Sequence, residues 1–191
     1  QFRLQPLHNH SRDFKNSTCW ALNGSISSGD NSSIVYDDNA FLNIDSETGE
    51  VEITAEDLDD PTLPLKARSI VTAIGRGFSP EKAFRLMDDE AVLEVMDLRD
   101  YVGRSESALR RVKGRIIGAD GRARRIIEET TGANVSVYGH TVSIIGRVRE
   151  VEVAREAILR LIEGSEHGSV YRYLFRMRRE LKKERLKLWE E

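Results

Sequence analysis

Apolar residues recur along the C-terminal half of the chain with the two periods that distinguish strands from helices. Residues 91–96 form a nearly continuous apolar run that predicts a strand with Val92 buried. Over residues 148–163 the apolar positions step by three and four, which predicts a helix with one buried face. The buried positions of that helix are Val151, Ala154, Ile158 and Leu161.

Between these two elements the pattern predicts a helix, a short glycine loop and a second helix. Ser105 is placed to cap the first helix, whose apolar side includes Leu109 and Val112. The loop reads Gly-Ala-Asp-Gly over residues 118–121, and Gly132 stands where a C′ glycine ends the second helix. A loop of this kind joins two helices with very few residues.

A hairpin completes this unit. Residues 134–138 and 141–145 predict two strands, and Gly139-His140 between them suits a two-residue reversal. The predicted order of elements over residues 91–168 is therefore β-α-α-β-β-α.

The first ninety residues give a weaker pattern. Residues 41–44 and 51–54 predict a β-hairpin, and the acidic residues 56–60 interrupt the pattern after it. We interpret residues 41–90 as an incomplete or divergent unit of the same kind. Residues 1–40 are rich in Asn and Ser and have no usable hydrophobic period, so we interpret them as a divergent, disordered or non-native segment.

Two helices are predicted between the acidic stretch and residue 90. The first ends at Gly75, and its apolar stripe consists of Leu65, Ile70, Val71 and Ile74. Ser79 is placed to cap the second, short helix, with Pro80 at its first position. The buried side of the short helix is predicted to hold Ala83, Phe84 and Met87.

Residues 169–191 are helical by composition, with one apolar stripe and a strongly basic remainder. The stripe consists of Val170, Leu174, Met177, Leu181 and Leu188. Two interpretations remain open. The helix is docked on the core with a solvated charged face, or its basic face also contacts an RNA backbone or a partner protein.

Charge is distributed unevenly along the 191 residues. The net charge is -3, yet residues 1–100 hold 9 Lys/Arg against 19 Asp/Glu, and residues 101–191 hold 20 against 13. The C-terminal half is therefore the half suited to a polyanion. Cys19 is the only cysteine, so an intrachain disulfide is excluded and a reducing, cytoplasmic setting is expected. No apolar run reaches membrane-spanning length.

The Gly118 loop carries the chemistry that the sequence makes most specific. Two glycines let the backbone approach a phosphate without an intervening Cβ, and the start of a helix favours anions. Asp120 opposes a phosphate electrostatically, although it could instead stabilise the helix that begins at Arg122. This stretch resembles the core of a KH domain, an RNA-binding module, and the resemblance implies base selection by hydrogen bonds along the strand at residues 135–137. The residues predicted on this basis to bind RNA are Lys113, Gly114, Arg115, Ile116, Ile117, Gly118, Ala119, Asp120, Gly121, Arg122, Arg124, Arg125, Val135 and Val137.

The loop in this context, together with Gly-Ser-Val-Tyr-Arg-Tyr-Leu at residues 168–174, resembles the archaeal partner-of-NOB-one family. The resemblance covers residues 41–191. It implies an α+β fold of tandem KH domains, each with a three-stranded antiparallel sheet packed on helices, followed by a C-terminal helix. It also implies binding of single-stranded RNA in the 3′ region of small-subunit ribosomal RNA during ribosome maturation. The implied partners are the NOB-one endonuclease and the α subunit of initiation factor two.

Other classes of function lack their motifs. The chain contains neither G-x-x-x-x-G-K-[ST] nor H-E-x-x-H, so we expect no catalysis and no cofactor. His8, His10 and Cys19 lack a fourth ligand at a recognisable spacing, so we expect no metal site. The main alternative is a KH-fold scaffold that binds protein through its sheet face and has little RNA affinity, and Asp120 keeps that alternative open.

Overall fold

The structure is a computed structural model that describes residues 2–3, 32–37, 40–44, 51–55 and 62–187, with side chains described for residues 62–183. The chain divides into two units, Gln1–Ser69 and Ile70–Glu191. No helix of the described residues is long and apolar enough to cross a bilayer. Three predictions concern residues outside the described ranges. They are the expected absence of a metal site at His8, His10 and Cys19, the acidic interruption at residues 56–60, and the place of Leu188 on the last apolar stripe.

The first unit contains a four-stranded antiparallel sheet in the order β1-β4-β3-β2. Its strands are β1 (Phe2–Arg3), β2 (Ser32–Asp37), β3 (Ala40–Ile44) and β4 (Val51–Ala55). The predicted hairpin is confirmed, because β3 pairs with β4 in antiparallel register. Strands β1 and β2 lie where the sequence analysis found no period. In β2, Ile34 and Val35 pair with apolar residues of β3, a run too short to stand out among polar neighbours.

Two helices precede the C-terminal sheet. They are α1 (Leu63–Gly75) and α2 (Pro80–Ala83), and a 3-10 turn at Phe84–Met87 continues α2. The tightening to three residues per turn rotates the later positions, so Leu86 is buried and Met87 is exposed, contrary to prediction. Leu65 is also exposed rather than part of a buried stripe. Ser79 occupies the N-cap position of α2 without a side-chain capping bond.

The second unit has the predicted KH order. Its elements are β5 (Ala91–Asp97), α3 (Arg99–Val102), α4 (Glu106–Ile117), α5 (Arg122–Thr131), β6 (Asn134–Tyr138), β7 (Thr141–Arg147) and α6 (Val148–Ile162). The one-turn helix α3 was not predicted, because four residues show no period. The sheet is antiparallel with the order β5-β7-β6.

The two faces of this sheet are buried differently. Val135, Val142 and Ile144 point to one face and form the main core with α4, α5 and α6, where Val151, Ala154, Ile158 and Leu161 are buried as predicted. Val92 also points to this face but is only half-buried. On the opposite face, Ile145 packs with residues from α1, the connection between α1 and α2, α2 itself and the turn after it. These residues are Ile70, Ala73, Phe78, Ala83 and Leu86.

A last helix, α7 (His167–Lys187), is docked on α5 and α6. Val170 and Leu174 are fully buried in the main core, and Leu181 is nearly so. The prediction of a docked amphipathic helix is therefore confirmed. A first KH unit over residues 41–90 remains a prediction, since the described residues there form a hairpin followed by helices.

Candidate nucleic-acid interface

The loop between α4 and α5 reverses the chain with three residues in the left-handed region. Gly118, Asp120 and Gly121 have φ values of 74°, 51° and 72°. Asp120 is the only non-glycine residue with positive φ in the described chain, and Asp tolerates this conformation because its short polar side chain can bond locally. The Gly118 amide closes α4 by donating to the Gly114 carbonyl at 2.8 Å. Helix α5 then begins at Arg122.

Two backbone amides of this loop are available to a ligand. The amides of Ala119 and Asp120 donate to no acceptor within the described residues, and both residues are exposed. A Cβ added at Gly114 or Gly121 would meet nothing within 4 Å, so the backbone is open at both glycines. The loop therefore presents free N–H groups at the start of a helix, which is the geometry that binds phosphate.

The four isoleucines around the loop divide into two pairs. Ile116 and Ile127 have no exposed surface and belong to the main core. Ile117 and Ile126 are half-buried and are the two that can line a groove beside the loop. Ile116, one of the predicted RNA-binding residues, is therefore a core residue.

Strand β6 is at the edge of the sheet, beside α5. A two-residue turn makes Tyr138 and Thr141 a hydrogen-bonded pair, so the alternate residues Val135 and Val137 direct their main-chain groups away from β7. The Val135 amide is already occupied, since it donates to Oε1 of Glu128 at 2.9 Å. No described residue bonds to the main chain of Val137. Of the two valines predicted to read bases, Val137 is the one with an open edge.

The predicted basic residues fall into different environments. Arg122 and Arg125 are exposed and form no ion pair within the described residues. Arg124 Nε lies 3.8 Å from Oε2 of Glu128, a loose surface pair. Lys113 Nζ donates to the Gly139 carbonyl at 3.0 Å and so links α4 to the β6–β7 turn.

Arg115 is anchored away from the groove. Its Nε donates to the Leu161 carbonyl at 2.9 Å and its Nη2 to the Ser165 carbonyl at 2.5 Å, which satisfies carbonyls at the end of α6. Its own carbonyl contacts His167 Nε2 at 2.9 Å. The residue thereby holds the last turn of α4, just before the loop, against the α6–α7 corner.

Sequence reasoning missed three residues at the far end of the groove. Glu128 joins α5 to β6 through the Val135 amide, and Lys82 Nζ lies 3.7 Å from the same Glu128 oxygen. Arg85 Nη1 donates to the Gly132 carbonyl at 3.1 Å and to Oδ1 of Asn134 at 2.7 Å. The contacts of Lys82 and Arg85 connect residues more than forty positions apart, and the bond from Val135 to Glu128 crosses from a strand to a helix, so no local periodicity or motif could have indicated them.

Comparison with known proteins identifies the family. A family model described as a eukaryotic type KH domain (KH-domain type I), specific to the second KH domain of PNO1, matches residues 92–179. The crystal structure of Dim2p from Pyrococcus horikoshii OT3 is 56% identical, with a TM-score of 0.67 over 72% of this chain and 80% of that chain. The chain belongs to the PNO1/Dim2 family. The predicted α+β KH fold with its C-terminal helix and the predicted kinship with ribosomal-RNA-processing proteins are both confirmed, while the tandem arrangement of two KH domains stays a prediction.

Other PNO1/Dim2 relatives extend the comparison. The KH domain-containing protein MJ0443 of Methanocaldococcus jannaschii is 49% identical over 150 residues, which is 78% of this chain and 65% of that protein. Pre-rRNA-processing protein PNO1 of Coccidioides immitis is 31% identical over 68% of this chain and 51% of its own length. The chain thus spans half to about two thirds of the length of these curated relatives. A further structure, an a/eIF2alpha-aDim2p-rRNA complex from Pyrococcus horikoshii OT3, matches at 55% identity and a TM-score of 0.69, over 74% of this chain and 77% of that chain.

Proposed function

We propose that the second unit of this PNO1/Dim2 protein binds single-stranded RNA, gripping roughly four nucleotides between α4, the Gly118 loop, α5 and the edge of β6. The observation that carries the proposal is the pair of free amides at Ala119 and Asp120 beside the start of α5. These amides hold a phosphate, Ile117 and Ile126 support the bases, and the main chain of Val137 reads a Watson–Crick edge.

The basic residues raise the positive potential around the loop. Arg122 and Arg125 are free to contact phosphates, and Arg124 lies beside them on α5. They offset the carboxylate of Asp120, whose left-handed conformation is a sufficient reason for Asp at that position. We leave Arg115 out of the contacting set because its guanidinium is bonded to α6.

The RNA is proposed to be the 3′ region of small-subunit ribosomal RNA, and the cellular setting the maturation of that subunit in the cytoplasm. Support comes from the PNO1 relatives in pre-rRNA processing and from the Dim2p structure in complex with rRNA and a/eIF2alpha. The α subunit of initiation factor two is the partner that this complex suggests. The NOB-one endonuclease follows from family resemblance alone, and we propose no catalytic role for this chain.

A scaffold that binds protein through the sheet face is disfavoured by the packing. The chain itself covers much of the outer face, because Phe78, Ala83 and Leu86 pack against Ile145. Gly121, where an added Cβ would meet nothing within 4 Å, also leaves the loop backbone open in a way that a scaffold does not require.

The experiment replaces Ala119 with Asp. Ala119 is exposed and has no positive φ, so the substitution adds a second carboxylate to the loop without backbone strain. Repulsion of about 1 kcal/mol or more per close charge pair, added to obstruction of the amide site, should lower RNA affinity at least tenfold. Fluorescence anisotropy measures affinity for a labelled single-stranded RNA, and circular dichroism measures thermal unfolding of the same samples.

Ala119→Asn is the matched control, since it has nearly the same shape and no charge. It should bind RNA within a few-fold of the parent protein. A folded Ala119→Asp protein that keeps full RNA affinity would show that the loop does not grip phosphate.

A further inference from the structure

Helix α7 exposes one large aromatic side chain on its outward side. Phe175 is 50% exposed, and it lies roughly 100–140° around the helix from the buried residues Val170, Leu174 and Leu181, at about 100° per residue. Cations surround it at helical-neighbour spacing, three, four and seven residues away. They are Arg172, Arg178, Arg179 and Lys182, all exposed, and with Phe175 they form what we name the α7 stripe.

The cations of the α7 stripe differ from those of the neighbouring helix. On α6, Arg149 pairs with Glu152 at 2.8 Å, and Arg160 pairs with Glu156 at 2.8 Å. No acidic side chain of the described residues forms an ion pair with any of the four stripe cations. Charges left unneutralised around an exposed ring are costly for a helix that serves only to cover the core, because like charges at these spacings repel.

The arrangement combines the two elements of a single-strand binding surface. Aromatic rings stack bases of any sequence, and cations beside them follow the phosphates. Helix α7 packs against α5, which carries the basic first turn next to the Gly118 loop. We propose that the α7 stripe is a second contact for single-stranded RNA, with one base stacked on Phe175 and phosphates held by Arg172 and Arg179.

This inference rests on the proposed RNA-binding function, because it concerns the strand beyond the groove. RNA length separates the two claims. A strand of roughly four nucleotides fills the KH groove alone, and a strand of roughly twelve has bases to spare for α7. The Ala119→Asp variant tests the groove with the short RNA. The variants of the α7 stripe are tested by how much more tightly the protein binds the long RNA than the short RNA.

The variants keep the helix and change one property each. Arg172→Gln with Arg179→Gln removes two cations, and Phe175→Leu removes the ring while keeping an apolar side chain. Arg149→Gln with Arg155→Gln on α6 is the control with the same change in charge. Phe175→Trp keeps the ring and adds a fluorescent reporter, whose signal is measured against the parent protein because Trp20 and Trp189 also emit.

Binding to the long RNA should weaken at least about fivefold in Phe175→Leu, the lower end expected for one stacked base. The double Arg→Gln variant of α7 should weaken it as well and make the salt dependence shallower by about 0.7 for each phosphate that is no longer neutralised. Neither variant should alter binding of the short RNA, and the α6 control should bind both RNAs nearly as the parent does. Phe175→Trp should bind the long RNA tightly, with quenching of its added fluorescence.

Several outcomes would overturn the inference. Equal parental affinity for the short and long RNAs would show that nothing beyond the groove contributes. An equal weakening in the α6 control would indicate diffuse electrostatics rather than a defined surface. If Phe175→Leu keeps the full affinity for the long RNA, and RNA does not quench the added fluorescence of Phe175→Trp, then the ring does not contact RNA. The exposed ring would in that case be a contact for a protein partner.

Discussion

Gly118 and Ala123 approach each other so closely that no side chain fits between them. A Cβ added at Gly118 would lie 2.7 Å from the Cβ of Ala123 and 2.8 Å from its backbone nitrogen. Gly118 thus lets the first turn of α5 close onto the end of α4, while Gly121 faces open space. The two glycines of the G-x-x-G loop therefore serve different purposes, one in packing and one in access to the backbone.

Alanine substitutions should separate these purposes. Gly118→Ala combines a positive φ, at about 1 kcal/mol, with overpacking of roughly 1–3 kcal/mol, so the free energy of unfolding should fall by about 2–4 kcal/mol. Gly121→Ala has only the φ cost, about 1 kcal/mol. Urea denaturation of both proteins measures the difference. Equal destabilisation would mean that Ala123 moves aside at little cost.

The sequence predicted the C-terminal unit well because each of its elements has a local signal. The step of three and four residues in α6 and the apolar stripe of α7 directly encode which side is buried. The structure buries the four predicted residues of α6 and, on α7, Val170, Leu174 and Leu181, while Met177 is half-buried. The roles of Arg115 and Glu128 depend instead on contacts across 46 and 7 residues. A basic residue near a G-x-x-G loop looks alike in sequence whether it meets RNA or caps another helix.

Arg115 should therefore affect RNA binding through position rather than contact. Replacing it with Met removes two bonds from a charged donor, each worth roughly 1.5–3 kcal/mol, so unfolding should become easier by about 2 kcal/mol or more. RNA affinity should fall several-fold as the loop loses its support, but the slope of log affinity against log salt concentration should not change. Arg122→Gln supplies the contrast, since removing a cation that neutralises a phosphate should make the slope shallower by about 0.7. A shallower slope in Arg115→Met would instead place its guanidinium on the RNA.

Leu174 should be the most sensitive position of α7, because its side chain, like that of Val170, has no exposed surface and is the larger of the two. Leu174→Ala should lower the free energy of unfolding by about 2–5 kcal/mol through reduced burial and a residual cavity. Val148→Ala is a suitable control at an exposed helical position, where the change should stay below about 0.5 kcal/mol. Calorimetry or urea denaturation measures the free energy of unfolding of both variants. A small effect of Leu174→Ala would mean that α7 is not docked in solution.

Asp97 should give the second unit a dependence on acid pH. Hydrogen bonds from the Arg99 side chain, followed by the Arg99 amide and the charge of His140, hold the pKa of Asp97 below its usual value of 3.8. Because its pKa is lowered in the folded state, ionised Asp97 stabilises the fold fully above about pH 3.8. This stabilisation is lost as the pH falls further, since protonation of Asp97 breaks its hydrogen bonds with Arg99. Asp97→Asn should reduce stability at neutral pH and flatten the acid limb of the stability curve. If the stability of both proteins fell equally with pH in the acid range, the acid dependence would come from other carboxylates.

Glu128 should determine how β6 reads a base, because its Oε1 occupies the Val135 amide at 2.9 Å. Glu128→Gln keeps an acceptor oxygen and removes a charge beside Arg124, so stability should change little and RNA affinity should rise modestly. Glu128→Ala removes the acceptor, which should cost roughly 1.5–3 kcal/mol, the range for a bond to a charged group. It also frees a second amide on the β6 edge beside that of Val137. A base with an acceptor on its Watson–Crick edge can then bond there, so selection from a random single-stranded RNA pool should yield a changed preference at one nucleotide. Identical preferences in the parent and Glu128→Ala would show that Val135 takes no part in recognition and that Glu128 only joins α5 to β6.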